Sequence, residues 1–172
     1  MDFKSKIRLI EDFPKKGILF RDITPILQDP EFFQGVISKI VNHFKYKKID
    51  KVVCAESRGF ILGSAVADRL KAGFVPLRKP GKLPHTKIKH EFKTEYSIDA
   101  FEIHTDAINK GENVLIVDDL LATGGTIEAS TKLVERLGGN IVGISFLIEL
   151  MRLEGRKKIE NYHVYSIIED KD

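Results

Sequence analysis

Apolar positions along this chain change their spacing several times, and each change marks an element. Phe3, Ile7 and Ile10, with charges between them, predict a short amphipathic helix over residues 3–10. Phe13-Pro14-Lys15-Lys16-Gly17 reads as a loop, and Ile18 to Thr24 as a strand-like segment. Asp29 and Pro30 form a helix start, an N-cap followed by proline at the first helical position. Phe32, Phe33, Val36, Ile37, Ile40, Val41 and Phe44 continue that helix as one stripe. Val52 to Ala55 is a short buried strand, followed by a helix with Ile61, Leu62, Ala65, Val66 and Leu70 on one face. A strand over 74–77 leads into a basic turn, and residues 83–104 read as a polar, irregular connection. A connection of that length inside a compact domain is functional or mobile. Val114 to Val117 is the next strand, and a helix over 126–137 stops at Gly138-Gly139. Ile141 to Ile148 and Val164 to Ile168 are the last strands, separated by the charged stretch 149–161. Strands alternating with helices predict a doubly wound α/β fold with a mostly parallel sheet and flanking helices.

Composition narrows the class of molecule. A chain of 172 residues that is 42% hydrophobic can bury one core, so one domain over 1–172 is expected. Its 28 basic and 25 acidic residues leave a net charge of +3, too mild and too evenly spread to call for nucleic acid or a membrane surface. The single cysteine, Cys54, lies in an apolar run and reads as core. His43, His85, His90, His104 and His163 show no ligand spacing, which argues against a structural zinc site. The N-terminus alternates charge with apolar residues, and no apolar run is long enough to span a bilayer. The expectation is a soluble, cytoplasmic chain.

The chemistry concentrates in Val114-Leu-Ile-Val-Asp-Asp-Leu-Leu-Ala-Thr-Gly-Gly-Thr126. Two carboxylates, Asp118 and Asp119, stand at the predicted end of a strand, and Ala122, Thr123, Gly124, Gly125 and Thr126 follow as a small-residue turn into a helix. In open α/β sheets ligands collect at the carboxyl ends of strands. Glycines let backbone N–H groups converge, threonines add hydroxyls, and a helix N-terminus lies behind them, which is what a phosphate needs. The acids repel a phosphate but suit the hydroxyls of a ribose, or a divalent cation. A sugar phosphate fits the whole stretch. No lysine follows the glycines, so this is not a Walker P-loop, and the spacing is not that of a dinucleotide fold. A second strand–turn–helix unit carries Glu56-Ser57-Arg58-Gly59, where amides and a guanidinium can meet an anion. In Arg78-Lys79-Pro80-Gly81-Lys82 three cations crowd one turn and repel one another unless they share an anion.

The 114–126 stretch resembles the phosphoribosyl-pyrophosphate motif of the type I phosphoribosyltransferases, and the resemblance runs nearly end to end. Phe13-Pro-x-x-Gly-Ile-Leu-Phe-Arg-Asp-Ile-Thr-Pro25 resembles the N-terminal signature of the branch that acts on adenine. The resemblance implies a transfer of phosphoribosyl from the pyrophosphate to adenine, giving AMP and pyrophosphate. It implies that segment 1–30 recognises the base: backbone groups of Leu19 and Arg21 read its edge, Phe20 stacks on one face and Leu150 covers the other. Ser57, Arg58 and Gly59 correspond to a pyrophosphate loop. Arg78, Lys79 and Lys82 reach the pyrophosphate of a neighbouring subunit, which implies a homodimer. Glu95 and Tyr96 correspond to a mobile loop, here within 83–104, that closes over the active site, with Glu95 hydrogen-bonded to the base. The family has glycine after that tyrosine, and this chain has Ser97. Mg²⁺ is the implied cofactor, carried by the substrate rather than by protein side chains. The same sugar-phosphate motif also serves phosphoribosyltransferases for other bases and non-enzymatic regulators that sense the sugar pyrophosphate. The Leu19-Phe20-Arg21 signature favours adenine, and no appended domain or basic stripe favours a regulator.

Overall fold

In the computed structural model of the chain, residues 1–93 and 98–171 are described. The chain divides into two compact units, Met1–Lys39 and Ile40–Asp172.

In the first unit, strands β1 (Arg8–Ile10) and β2 (Phe20–Asp22) pair antiparallel, with Leu9 opposite Arg21. Helix α1 (Thr24–Gln28) follows, then α2 (Pro30–Phe44), whose last turn passes into the second unit. The predicted helix over 3–10 is not formed. A single 3-10 turn, Lys4–Lys6, gives way to β1. Four apolar residues across eight positions, with Leu9 off the stripe and exposed, offer too little stripe to sustain an isolated helix, and pairing with β2 satisfies the backbone instead. The start of α2 is as expected: Asp29 Oδ1 accepts the amides of Glu31 and Phe32 at 3.1 and 3.3 Å.

The second unit is built on five parallel strands: β3 (Lys51–Ala55), β4 (Gly73–Leu77), β7 (Asn113–Leu121), β8 (Asn140–Leu150) and β9 (Val164–Asp170). Their order across the sheet is β4-β3-β7-β8-β9. Helix α3 (Arg58–Leu70) follows β3, and α4 (Gly125–Arg136) follows β7. Renumbered along the chain, the five strands run 2-1-3-4-5, so connections leave β3 and β7 in opposite directions across the sheet. The crevice beyond the carboxyl ends of those two strands is the topological switch point, where such sheets bind ligands.

Strand lengths open that crevice. β3 pairs with β7 only from Lys51–Val114 to Val53–Ile116. β7 continues along β8 as far as Leu121, opposite Glu149. Asp118 and Asp119 therefore lie within a strand rather than after it, past the point where β3 has turned away.

Residues 83–104 also depart from expectation. They contain an antiparallel pair, β5 (Lys87–Lys93) and β6 (Ile98–His104). Ile88 and Phe92 face one side of β5 and Phe101 and Ile103 are buried in β6, and the Phe92 and Phe101 rings stack at 5.2 Å. Charged residues at every other position of β5 hide this alternation from a search for apolar runs. Arg78 and Glu102 exchange backbone hydrogen bonds of 3.1 and 2.7 Å, which join β6 to the basic turn.

Candidate active site

At the switch point lies a cavity of about 280 Å³. Its floor is the turn Ala122–Thr126, one side is Asp118 and Asp119, another is Ser57 and Arg58, and Phe92, Asp99 and Phe101 of the β5–β6 pair form a wall with Lys79.

The turn is shaped by backbone first. Gly124 has φ +83°, a left-handed conformation that disfavours other residues, and stands as N-cap of α4. The first amides of α4 have no intrahelical acceptor, and Gly124 offers no side chain to cap them. They converge on the cavity, where an anion can take their place as acceptor. Thr123 and Thr126 line the same floor.

Above the floor the two acids are unequal. Both are buried, and the Asp119 amide donates to Asp118 Oδ1 at 2.9 Å. Burial, then the neighbouring Asp119 charge, push the Asp118 carboxyl well above its ordinary range. Gly59 lets the first turn of α3 close on it, since a Cβ there would stand 2.7 Å from Asp118 Oδ1. Asp119 instead meets Arg58, with Nε 2.8 Å from Oδ2. Yet Oδ2 is buried and accepts no hydrogen bond among the described residues. The contact is one of charge, and the oxygen keeps a lone pair for a donor such as a sugar hydroxyl.

The crowded cations have found protein acids to share. Glu56, the residue before Ser57, accepts Arg78 Nε at 3.1 Å, the Lys79 amide at 2.5 Å and Lys82 Nζ at 2.8 Å. Lys79 Nζ pairs with Asp99, and Lys87 Nζ lies 3.2 Å from Glu102. Burial alone would raise the Glu56 carboxyl, but hydrogen bonds from Lys82, the Lys79 amide and Arg78 hold it at about 2. A carboxylate depressed from 4.5 to about 2 stabilises the fold fully above pH 4.5 and loses that contribution as pH falls toward 2. The stability gap between wild type and Glu56→Gln should therefore be widest above that window and close through it. Urea unfolding across the window measures the gap, and a gap that ignores pH would remove Glu56 as the anchor of the basic turn.

Of the residues singled out in the sequence, the structure gathers Ser57, Arg58, Lys79, Asp118, Asp119 and Ala122–Thr126 around one cavity. Gly59, Arg78 and Lys82 stand directly behind it, on Asp118 and Glu56. Leu150 ends β8 opposite Asp170 and is not among the cavity residues. Leu19, Phe20 and Arg21 belong to the first unit, where the Phe20 ring meets Phe13 edge-on at 5.1 Å and the Leu19 carbonyl accepts Arg21 Nη1 at 2.7 Å. Glu95 and Tyr96 lie outside the described residues.

Sequence reading missed Glu56, Asp99 and the Phe92–Phe101 stack. An acid beside a predicted anion loop was the available signal for Glu56. It also missed that His43 Nε2 and His163 Nε2 meet at 2.7 Å. That pair is a ring-to-ring hydrogen bond: among the described residues no three His, Cys, Asp or Glu side chains gather as a metal site. Cys54 is buried as expected, tight against Gly63 of α3. No helix among the described residues is long and apolar enough to cross a membrane.

Comparison with known proteins gives this geometry its relatives. Residues 22–172 match the model of the phosphoribosyl transferase domain. The chain is 56% identical over 169 residues to the adenine phosphoribosyltransferase of Brachyspira hyodysenteriae, covering 98% of this chain and 99% of that one. It is similar in structure to the adenine phosphoribosyltransferase of Thermoanaerobacter pseudethanolicus, with TM-score 0.95, 51% identity and 98% of both chains covered. The Giardia lamblia enzyme complexed with 9-deazaadenine also matches, with TM-score 0.95, 41% identity, and 99% of this chain and 97% of that one covered.

Proposed function

The chain belongs to the phosphoribosyl transferase domain family, and from that premise we propose that it is an adenine phosphoribosyltransferase, joining adenine to phosphoribosyl pyrophosphate to give AMP and pyrophosphate. One observation supports this best: an anion-binding turn, a pair of buried acids and a set of cations share one cavity at the sheet's switch point. That is the order of groups along phosphoribosyl pyrophosphate, with phosphate at one end, ribose between, and pyrophosphate at the other. Similarity to adenine phosphoribosyltransferases over 98% of the chain supports the choice of base.

In this reading the amides and hydroxyls of Ala122–Thr126 bind the 5′-phosphate, and Asp118 and Asp119 take the ribose hydroxyls. Ser57, Arg58 and Gly59 hold the pyrophosphate, joined by Lys79, which lines this chain's own cavity although the resemblance implies a reach to the neighbouring subunit. As the bond from the anomeric carbon to pyrophosphate lengthens, the sugar gains oxocarbenium character, and the Asp119 carboxylate stabilises it. Arg78 and Lys82 take up charge on the departing pyrophosphate, for which they must exchange Glu56 for the substrate. Adenine N9 forms the new bond. Leu19 and Arg21 fix the base by backbone groups, Phe20 and Leu150 cover its faces, and Glu95 stabilises the proton it carries. The 83–104 segment, with Tyr96, excludes water that would hydrolyse the activated sugar.

We assign Mg²⁺ to the substrate rather than to a protein cage. Asp119 is already faced by Arg58, and no three-acid cluster is present among the described residues. Bound to the pyrophosphate, a divalent cation neutralises leaving-group charge. A homodimer in the cytoplasm completes the proposal. Ile61 of α3 and Phe74 of edge strand β4 are exposed apolar residues on one flank of the sheet and support such an interface.

The test is pyrophosphate release on mixing the protein with adenine, phosphoribosyl pyrophosphate and Mg²⁺. Release should require all three and stop when a chelator removes the metal. Absence of pyrophosphate and AMP under these conditions would sink the proposal.

A further inference from the structure

The floor of the cavity is itself supported from behind. A second turn, Gly155–Ile159, follows β8 as a 3-10 segment, and its first residue meets the substrate turn backbone to backbone. A Cβ on Gly124 would stand 2.6 Å from the Gly155 carbonyl oxygen. A Cβ on Gly155 would overlap the Ala122 carbonyl oxygen and stand 2.9 Å from the Gly124 amide nitrogen. Gly155 is not among the residues with positive φ, so its own backbone conformation does not call for glycine. Close approach does: neither turn has room for a side chain.

What holds this second turn in place is a charge pair between the half-buried Arg156 and the buried Glu149. Arg156 Nε donates to Glu149 Oε1 at 2.8 Å, and Nη2 donates to Oε2 of the same carboxylate. The guanidinium also reaches the Val164 carbonyl and the Ser166 hydroxyl, each at 3.3 Å. Ser166 Oγ in turn donates to Glu149 Oε2 at 2.7 Å. Glu149 is 3% exposed and stands in β8 opposite Leu121, the residue before Ala122. At the far end of the turn Ile159 is fully buried in the core. Lys158 reaches over to α4, with Nζ 3.3 Å from Glu128 Oε2. A single ion pair to a half-buried arginine gives little net stability, but a planar fork fixed at four acceptors specifies geometry.

We propose that Arg156, held by Glu149, is a positioning residue for the sugar-phosphate site: through Gly155 it fixes the floor on which Ala122–Gly125 takes its anion-binding shape. This rests on reading that turn as the site of the 5′-phosphate. Arg156 touches no substrate, and its effect is felt through the placement of amides at the turn.

The experiment is direct titration of phosphoribosyl pyrophosphate with Mg²⁺ into wild type, Arg156→Lys, Gly155→Ala and Lys157→Ala, with thermal unfolding and steady-state kinetics in parallel. Arg156→Lys keeps the charge and loses the fork. It should weaken binding on the order of 10- to 100-fold, the range that follows loss of an outer-shell partner. The loss should appear in KM for the sugar pyrophosphate, with kcat at saturation retained. Gly155→Ala forces the two turns apart and should weaken binding by about 100-fold, the effect of a displacement near 1 Å. Lys157→Ala serves as the control on the same turn, since Lys157 pairs with the exposed Glu154 rather than with Glu149 or the substrate turn, and its binding should equal wild type. If Gly155→Ala does not fold, Arg156→Lys decides alone. An Arg156→Lys protein that melts earlier yet binds phosphoribosyl pyrophosphate like wild type overturns the inference, because the fork is then structural only. Wild type failing to bind overturns instead the reading of the turn on which the inference rests.

Discussion

Offered with phosphoribosyl pyrophosphate, adenine should exceed hypoxanthine in kcat/KM by about four orders of magnitude. The expectation comes from Leu19 and Arg21. In an extended segment the carbonyl of one residue and the amide of the residue two positions on point to the same side. Leu19 lies immediately before β2, and Arg21 is its central residue. Together they present an acceptor beside a donor, which suits the amino group and ring nitrogen of adenine. Arg21 Nη1 already occupies one lone pair of the Leu19 carbonyl, and a carbonyl oxygen has two. Hypoxanthine reverses both partners, setting a carbonyl against a carbonyl and an N–H against an N–H. A site built on hydrogen bonds rejects such an analogue far more strongly than an apolar pocket rejects a missing methylene, because buried polar groups are left unpaired. Initial rates of pyrophosphate release with each base decide the matter. Comparable rates would remove base recognition from Leu19 and Arg21.

The parts of the molecule that sequence could reveal are those where one local rule decides. β3 and β7 are apolar runs bounded by turn residues, the start of α2 carries its own cap, and α4 stops at the glycine that the pattern points to. Thr123-Gly124-Gly125-Thr126 is legible because anion binding at a helix start needs residues of that kind next to one another. Long-range arrangement was not legible in the same way. Nothing local says that β3 ends its pairing at Val53 while β7 runs on to Leu121, yet that difference in length makes the cavity. The β5–β6 pair was hidden because alternating charge on β5 looks like a solvated connection, and its apolar face shows only once Phe101 is opposite. The basic turn was half legible. Its cations had to share an anion, but only the fold brings Glu56, 22 positions before Arg78, to serve as that anion. Glu56 therefore competes with pyrophosphate for these cations, and substrate binding becomes an exchange of one anion for another.

Asp119→Asn should reduce turnover by about 10²–10³-fold, the range that follows loss of a preorganised electrostatic group, while Asp118→Asn should cost much less. The two residues are adjacent in sequence, and both are buried on the same strand, so sequence alone makes them equivalent. The structure separates them. Asp118 is pushed toward its neutral form by burial and by the charge of Asp119, and Gly59 packs directly on its carboxyl. An asparagine there reproduces a neutral acid in shape and in its capacity to accept the Asp119 amide. Asp119 faces Arg58 at 2.8 Å and keeps a buried oxygen with no hydrogen bond among the described residues. Its charge is the one available to an oxocarbenium-like sugar, and its free lone pair the one available to a ribose hydroxyl. Replacing it also removes the charge that Arg58 faces at 2.8 Å, so the guanidinium loses one of the contacts that place it beside the cavity. A second measurement tests the assignment of Asp118. A carboxyl whose folded pKa is raised above 3.8 binds its proton more tightly in the folded state, so stability is full below that pH and declines as pH rises through the folded value. Asp118→Asn should remove that part of the decline, and Asp119→Asn should lower the folded pKa of Asp118 by removing a like charge. Turnover at saturating substrates and unfolding across pH, measured on both variants, give the answer. Equal losses of turnover, or a greater loss for Asp118→Asn, would place the working charge on the wrong carboxylate.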